Sequence, residues 1–206
     1  MDQQMMNLFA VPVCRAQLGR SFSDSEQAFF REALQQPVAA ISNSSSQDKH
    51  VLNALPMQQI KAMIETQLSA YMDTVFKTSN DVRLKITQSW LTLSGKDQSH
   101  HIHTHPNSVV SGVLYINLAQ RDGINFYRNE DQLWFELMRE QETYYNAKHY
   151  FIQTEPGDLL LFPSHIRHGV PPVQEDIQRV SLSFNTFFSG KLGRDEFSNA
   201  LTIEVL

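Results

Sequence analysis

Four of the chain's eight histidines fall within six positions, in the stretch HHIHTH at residues 100–105. Imidazole serves either as a proton carrier near neutral pH or, unprotonated, as a donor to iron, copper, nickel or zinc. Spacing favours the metal. Along an extended strand, residues two apart project from one face, so His101, His103 and His105 share a side and His100 points away. Same-face neighbours sit about 7 Å apart along the backbone, close enough for two rings to converge on one ion. A solvated histidine-rich loop is the plain alternative.

A first-row metal held by such a pair needs a further donor from elsewhere in the chain. EPGDLLLFPSHIRHGVPP, residues 155–172, offers one: a Pro-Gly-Asp turn, an apolar strand, a bend at Pro163, and then His165 and His168 just beyond. His168 is preferred because Gly169 beside it lets other groups come close. A few residues on, in QRVSLSFNTFF, Arg179 and Ser181 share one strand face, with Val180, Leu182 and Phe184 on the other. A guanidinium and a hydroxyl side by side on an otherwise apolar strand suit a buried carboxylate, held by a charge-assisted fork.

These groups need a scaffold. The chain's 206 residues suffice for one well-buried core. Its first 80 residues read as a helical brace after a short strand near Leu8 to Val13. Ser23 and Glu26 form a capping box, Pro37 ends that helix, and a second helix starts at Pro56, with Met57, Ile60, Ile64, Tyr71 and Val75 at helical spacing. SNSSSQ at 42–47 reads as a surface loop. From residue 82 to 206 the period changes to two, and six or seven short strands separated by Gly, Pro, Asn and Asp turns imply an antiparallel jelly roll. The segment Asn129–Lys148 interrupts them, as a flap or a bracing helix.

A net charge of −5 speaks against a general affinity for nucleic acid or anionic membrane, which leaves small molecules or peptides as substrates. No apolar run is long enough for a membrane span, the N-terminus lacks signal-peptide character, and the lone Cys14 permits no internal disulfide, which together point to the cytoplasm. Cys14 itself reads as a buried, inert thiol. Nothing in the sequence fixes the oligomeric state; a homodimer is compatible with it.

The ordered set HTH, GVLYIN, FPSHIRH and RVS resembles the Fe(II)- and 2-oxoglutarate-dependent dioxygenases, in particular the prolyl-4-hydroxylase-like branch, over roughly residues 82–188. The resemblance implies a double-stranded β-helix, mainly β with N-terminal helices. It implies Fe(II) held by His103, His105 and His168, and 2-oxoglutarate held at its far carboxylate by Tyr115, Arg179 and Ser181. O2 would be the oxidant, with hydroxylation of a substrate C–H coupled to release of succinate and CO2. His105 stands where most such proteins have aspartate. A carboxylate at about 4 Å contributes on the order of 4 kcal/mol per unit charge at an effective dielectric near 20, so its loss weakens iron retention. His101 with His103 forms an equally good pair, and Trp90 and the aromatics of 134–145 are candidates for the substrate side. Two other readings compete. A cupin, also a jelly roll with an HxH motif, leaves Arg179 and Ser181 unexplained, and a non-catalytic metal-binding domain would take up metal without turnover.

Overall fold

A computed structural model describes residues 3–78, 81–128 and 138–205. Residues 3–13 have no regular structure, and Phe9 is 96% exposed. The strand expected over Leu8 to Val13 instead begins after Pro12, which cannot donate to a ladder. It is β1 (Cys14–Gln17), on the edge of a sheet, and Cys14 there is half-buried rather than buried.

Helix α1 (Asp24–Ala33) starts with the expected capping box. Ser23 Oγ accepts from Glu26 N at 3.3 Å, and the Glu26 carboxylate accepts from Ser23 N at 2.8 Å. Arg20 forks the same carboxylate and holds its pKa below the usual range. Pro56 opens a 3-10 turn that leads into α2 (Gln58–Tyr71), which buries Ile60, Ile64, Leu68 and Tyr71. Beyond Tyr71 the helix widens into a π-turn and stops at Lys77, in the left-handed region at φ 44°.

The first 80 residues also supply strands. β2 (Val38–Ala39) and β3 (Ser44–Ser45) add to the larger sheet, so SNSSSQ is not a free loop. Ser46 is fully buried, its Oγ accepting from Leu91 N and donating to Asp48 O, which anchors this segment to the strand that carries Leu91. The following strands are β4 (Val82–Ser94), β5 (His100–His103), β6 (Val110–Asn117), β7 (Gly123–Tyr127), β8 (His149–Gln153), β9 (Asp158–Pro163), β10 (His168–Val170), β11 (Arg179–Leu192) and β12 (Leu201–Ile203).

Among the described residues the larger sheet runs β1-β9-β6-β11-β4-β3-β2, with β12 also on β11, and the smaller runs β5-β10-β7-β8. All named strand pairs are antiparallel. This is the jelly-roll, double-stranded β-helix arrangement, left open rather than closed into a barrel. The helices cover one face of the larger sheet, where Phe30, Ile60, Ile64 and Leu68 pack with Val110, Leu114, Leu159, Leu161, Leu182 and Phe184. A second core lies between the sheets, where Tyr115, Leu160 and Phe162 meet Ile124 and Phe126. Gly112 is required on the helix side, because a Cβ there would come within 2.2 Å of the Phe184 ring.

Candidate metal centre

β5 and β10 lie side by side, with His103 directly opposite His168, and the two ring centroids are 4.4 Å apart. His105 comes from the turn after β5, which His105 N ties to Ser164 O at 2.9 Å. Its ring stacks on His168, with centroids 5.0 Å apart and planes 6° apart, and the two Nε2 atoms are 3.1 Å apart. Ligand nitrogens of His103, His105 and His168 all lie within 4.8 Å of one another, so the three could hold a metal ion.

Backbone carbonyls fix the tautomers. His103 Nδ1–H donates to His101 O at 2.7 Å and His168 Nδ1–H to Ile166 O at 2.8 Å, leaving Nε2 of each ring with the free lone pair. Burial keeps the rings neutral. It lowers His103, takes His105 down to about 3, where His168 adds to the effect, and takes His168 down to about 4. Neutral imidazole is the form that binds metal.

The strand rule misplaced His100. Between His168 and Val170 the β5–β10 register slips, so that two steps along β10 span three along β5, from His103 to His100. A bulge re-aims the side chains around it. His100 is therefore stacked on His103, with centroids 4.5 Å apart and planes 25° apart, and lines the same cavity. Gly169 matters here, since a Cβ on it would come within 2.9 Å of His100 O. His165 is exposed and outside the cluster.

The cavity continues past the histidines to Tyr115, Arg179, Ser181 and Ser183. Arg179 is 2% exposed; its Nη1 donates to Ser181 Oγ at 3.3 Å, and its Nε lies 2.8 and 3.0 Å from the two carboxylate oxygens of Asp122. Asp122 went unrecognised in the sequence, where Asp-Gly before a strand reads as turn chemistry. Among the described residues, Arg179 Nη2 and Tyr115 Oη, both buried on this wall, have no hydrogen bond of normal length, the Thr154 hydroxyl being a neighbour of Tyr115 Oη. The guanidinium carbon lies 5.7 Å from the Tyr115 ring centre. The enclosed space is only about 20 Å³, room for about one water, so a larger ligand requires a lining side chain to turn aside. His100, half-buried and without a hydrogen bond among the described residues, is the least restrained.

A hydroxyl network backs the histidine loops. Ser164 Oγ donates to Ser108 Oγ at 2.7 Å and lies 2.8 Å from Ser111 Oγ, which in turn donates to Asn185 Oδ1 at 3.0 Å. Trp90 is close as well, its ring 6.0 Å from that of His105. Of the aromatics in 134–145, Trp134 and Phe135 lie outside the described residues, as do residues 129–137 of the expected flap or bracing helix. Tyr144 and Tyr145 are 69% and 48% exposed, and Tyr144 lines a separate 470 Å³ cleft with Phe126, Tyr127 and Tyr150.

Residues 88–185, which carry the histidine cluster and the Arg179 wall, match the family model described as "Putative 2OG-Fe(II) oxygenase". This stretch, a little under half of the chain, is what resembles the 2OG-Fe(II) oxygenase family. Solved oxygenases share the fold at low identity. An oxidoreductase of the 2OG-Fe(II) oxygenase family from Burkholderia pseudomallei is 13% identical with a TM-score of 0.56, over 84% of this chain and 83% of that one. HygX from Streptomyces hygroscopicus, solved with nickel and 2-oxoglutarate bound, is 12% identical with a TM-score of 0.57, over 85% and 82%. A Pseudomonas putida prolyl-4-hydroxylase is 15% identical with a TM-score of 0.54, over 85% and 92%. No curated protein matches the chain. The groups a 2OG-Fe(II) oxygenase uses are Fe(II), 2-oxoglutarate and O2, and the donor set is chemically suited to them: three neutral imidazoles for the metal and two unsatisfied buried donors for a carboxylate. The oxygenase match disfavours the cupin alternative. No described helix is long and apolar enough to cross a membrane.

Proposed function

We propose that the chain is an Fe(II)- and 2-oxoglutarate-dependent oxygenase in which His103, His105 and His168 hold the metal and Arg179, Tyr115 and Ser181 hold the far carboxylate of the cosubstrate. The observation that carries this reading is the pair of buried, unpartnered donors, Arg179 Nη2 and Tyr115 Oη, in one cavity with three converging imidazoles. A buried donor without a partner costs about 1–3 kcal/mol, and a bound carboxylate would relieve both costs. Asp122 occupies Nε and holds the guanidinium in place, while Nη2 has no partner among the described residues.

When bound, Fe(II) and O2 supply the oxidation of a substrate C–H, coupled to conversion of 2-oxoglutarate to succinate and CO2. The chain's own groups bind and orient. Ile166 O and His101 O leave two Nε2 atoms with free lone pairs, and burial keeps the rings unprotonated. With His105 in the place of a carboxylate the protein donors are all neutral, so the dianionic cosubstrate supplies the negative charge near the metal. The substrate is a small molecule or a peptidyl side chain; prolyl hydroxylation enters by likeness alone, and a shared fold does not fix the reaction. Residues 1–80 act as the brace and 82–206 as the jelly-roll core of one unit. A reducing cytoplasm suits both the free Cys14 thiol and ferrous iron.

Calorimetry of 2-oxoglutarate binding to the Ni(II)-loaded protein tests this. Saturable binding is expected, weakened at least about tenfold in Arg179→Lys, which keeps the charge but loses the fork. Equal binding by the two proteins would remove Arg179 from the site, and no binding by either would favour a metal-binding domain without oxygenase chemistry.

A further inference from the structure

Among the described residues there are two three-histidine sets, and the proposed oxygenase centre uses one of them. Ligand nitrogens of His100, His101 and His103 also lie within 4.8 Å of one another. Their ring centroids are 5.5 Å apart for 100–101, 4.5 Å for 100–103 and 4.9 Å for 101–103. Regular alternation would have turned His100 and His101 to opposite faces. The register slip against β10 is what brings them together.

We propose that His100, His101 and His103 form a second, outer binding position for a first-row divalent cation, occupied in alternation with the inner position of His103, His105 and His168. Three imidazoles are a competent donor set for nickel, zinc or iron. Alternation follows from His103, which belongs to both sets. Its Nδ1–H is committed to His101 O, so Nε2 offers the only lone pair, and one lone pair serves one ion. Exposure gives the order of events. His100, His103 and His105 are all half-buried, and the sets differ in that the outer one has the exposed His101 where the inner one has His168 at 4% exposed, so an ion arriving from solvent meets the outer set first. The outer set is then a loading position, from which the ion passes inward as His103 changes partners. The inner set could bind metal without it, so the two assignments fail separately.

Ni(II) alone is the probe. In His105→Gln/His168→Gln, which keeps side-chain volume while removing the inner donors, the outer set should still take up one equivalent. Its affinity should be at least about tenfold tighter than that of the same variant also carrying His100→Gln/His101→Gln. Anomalous scattering from soaked crystals of the first variant should place nickel among residues 100, 101 and 103. In otherwise unaltered protein, His100→Gln/His101→Gln should slow Ni(II) uptake in stopped flow while leaving the final affinity within about twofold. Equal Ni(II) affinity in the two inner-set variants, or nickel located elsewhere, overturns the outer position. Unchanged uptake kinetics overturn its loading role, and a large loss of final affinity would instead make these residues ligands of the inner ion. Failure of the oxygenase reading is seen separately, in 2-oxoglutarate binding.

Discussion

Strands β9, β6, β11 and β4 turn Leu159, Leu161, Val110, Leu114, Leu182, Phe184 and Leu91 toward α1 and α2. The alternate residues of β6, β11 and β4, among them Ser111, Tyr115, Arg179, Ser181, Ser183 and Thr92, turn toward the smaller sheet. Both sides are buried, yet among the described residues only the second carries polar side chains without partners: Thr92 Oγ1, Tyr115 Oη and Arg179 Nη2. Burying such groups unpaired works against folding. Of the two faces of the larger sheet, the one that meets the histidines is therefore the one left with unmet hydrogen-bonding capacity among the described residues.

The sharpest way to break that contrast is Arg179→Met. It removes the partner of Asp122, which is itself 8% exposed, and leaving a buried carboxylate unpaired costs about 3–5 kcal/mol. Thermal unfolding should report that loss, and pairing the change with Asp122→Asn should recover most of it while 2-oxoglutarate binding stays lost. If the double variant binds the cosubstrate normally, Arg179 is there for structure. The helix-side counterpart is Leu182→Ala, which leaves a cavity in a fully buried position and costs about 2–5 kcal/mol. Here the folded protein should keep its metal and cosubstrate affinities, and a loss of either would show that the two faces are not separable.

Much of this was legible in the sequence because it follows from local periodicity. The capping box, the helical spacing of Ile60 and Ile64, and the two-residue spacing of Arg179 and Ser181 need no knowledge of partners. The oxygenase resemblance groups His103, His105 and His168 across 63 residues, since spacing alone leaves His101 with His103 an equal pair, and their ligand nitrogens lie within 4.8 Å of one another. What stayed hidden depends on another segment. His100 faces the cluster because β10 is out of step with β5, and no pattern within HHIHTH records that. Asp122 finds Arg179 from 57 residues away, and Ser44 and Ser45 pair with β4 although their composition is that of a loop. In LLLF the side chains alternate between the helix core and the inter-sheet core, a distinction lost when both faces are apolar.

Tyr115→Phe separates ligand binding from packing within a single atom. The ring stays in the inter-sheet core and only the unpartnered hydroxyl goes, so the free protein should become more stable by about 1 kcal/mol, or up to about 3. Cosubstrate affinity should move the other way, by about 10- to 100-fold, the worth of one hydrogen bond to a carboxylate. A fall in stability would mean that the hydroxyl has a partner in the folded protein.

Ser164→Ala makes the finest distinction, because Ser164 also lies at the inner end of the structure but its hydroxyl is satisfied. Removing it breaks the contacts with Ser108 and Ser111, for about 1 kcal/mol, while the link that sets the His105 loop against the His168 loop runs through the Ser164 carbonyl and survives. Polar groups paired within the protein should then act as structure, with Ni(II) affinity changed by less than about threefold, and only the unpaired ones should act on ligands. A tenfold loss of metal at unchanged stability would reverse that assignment, since it would make the hydroxyl network the element that holds His105 and His168 at their spacing.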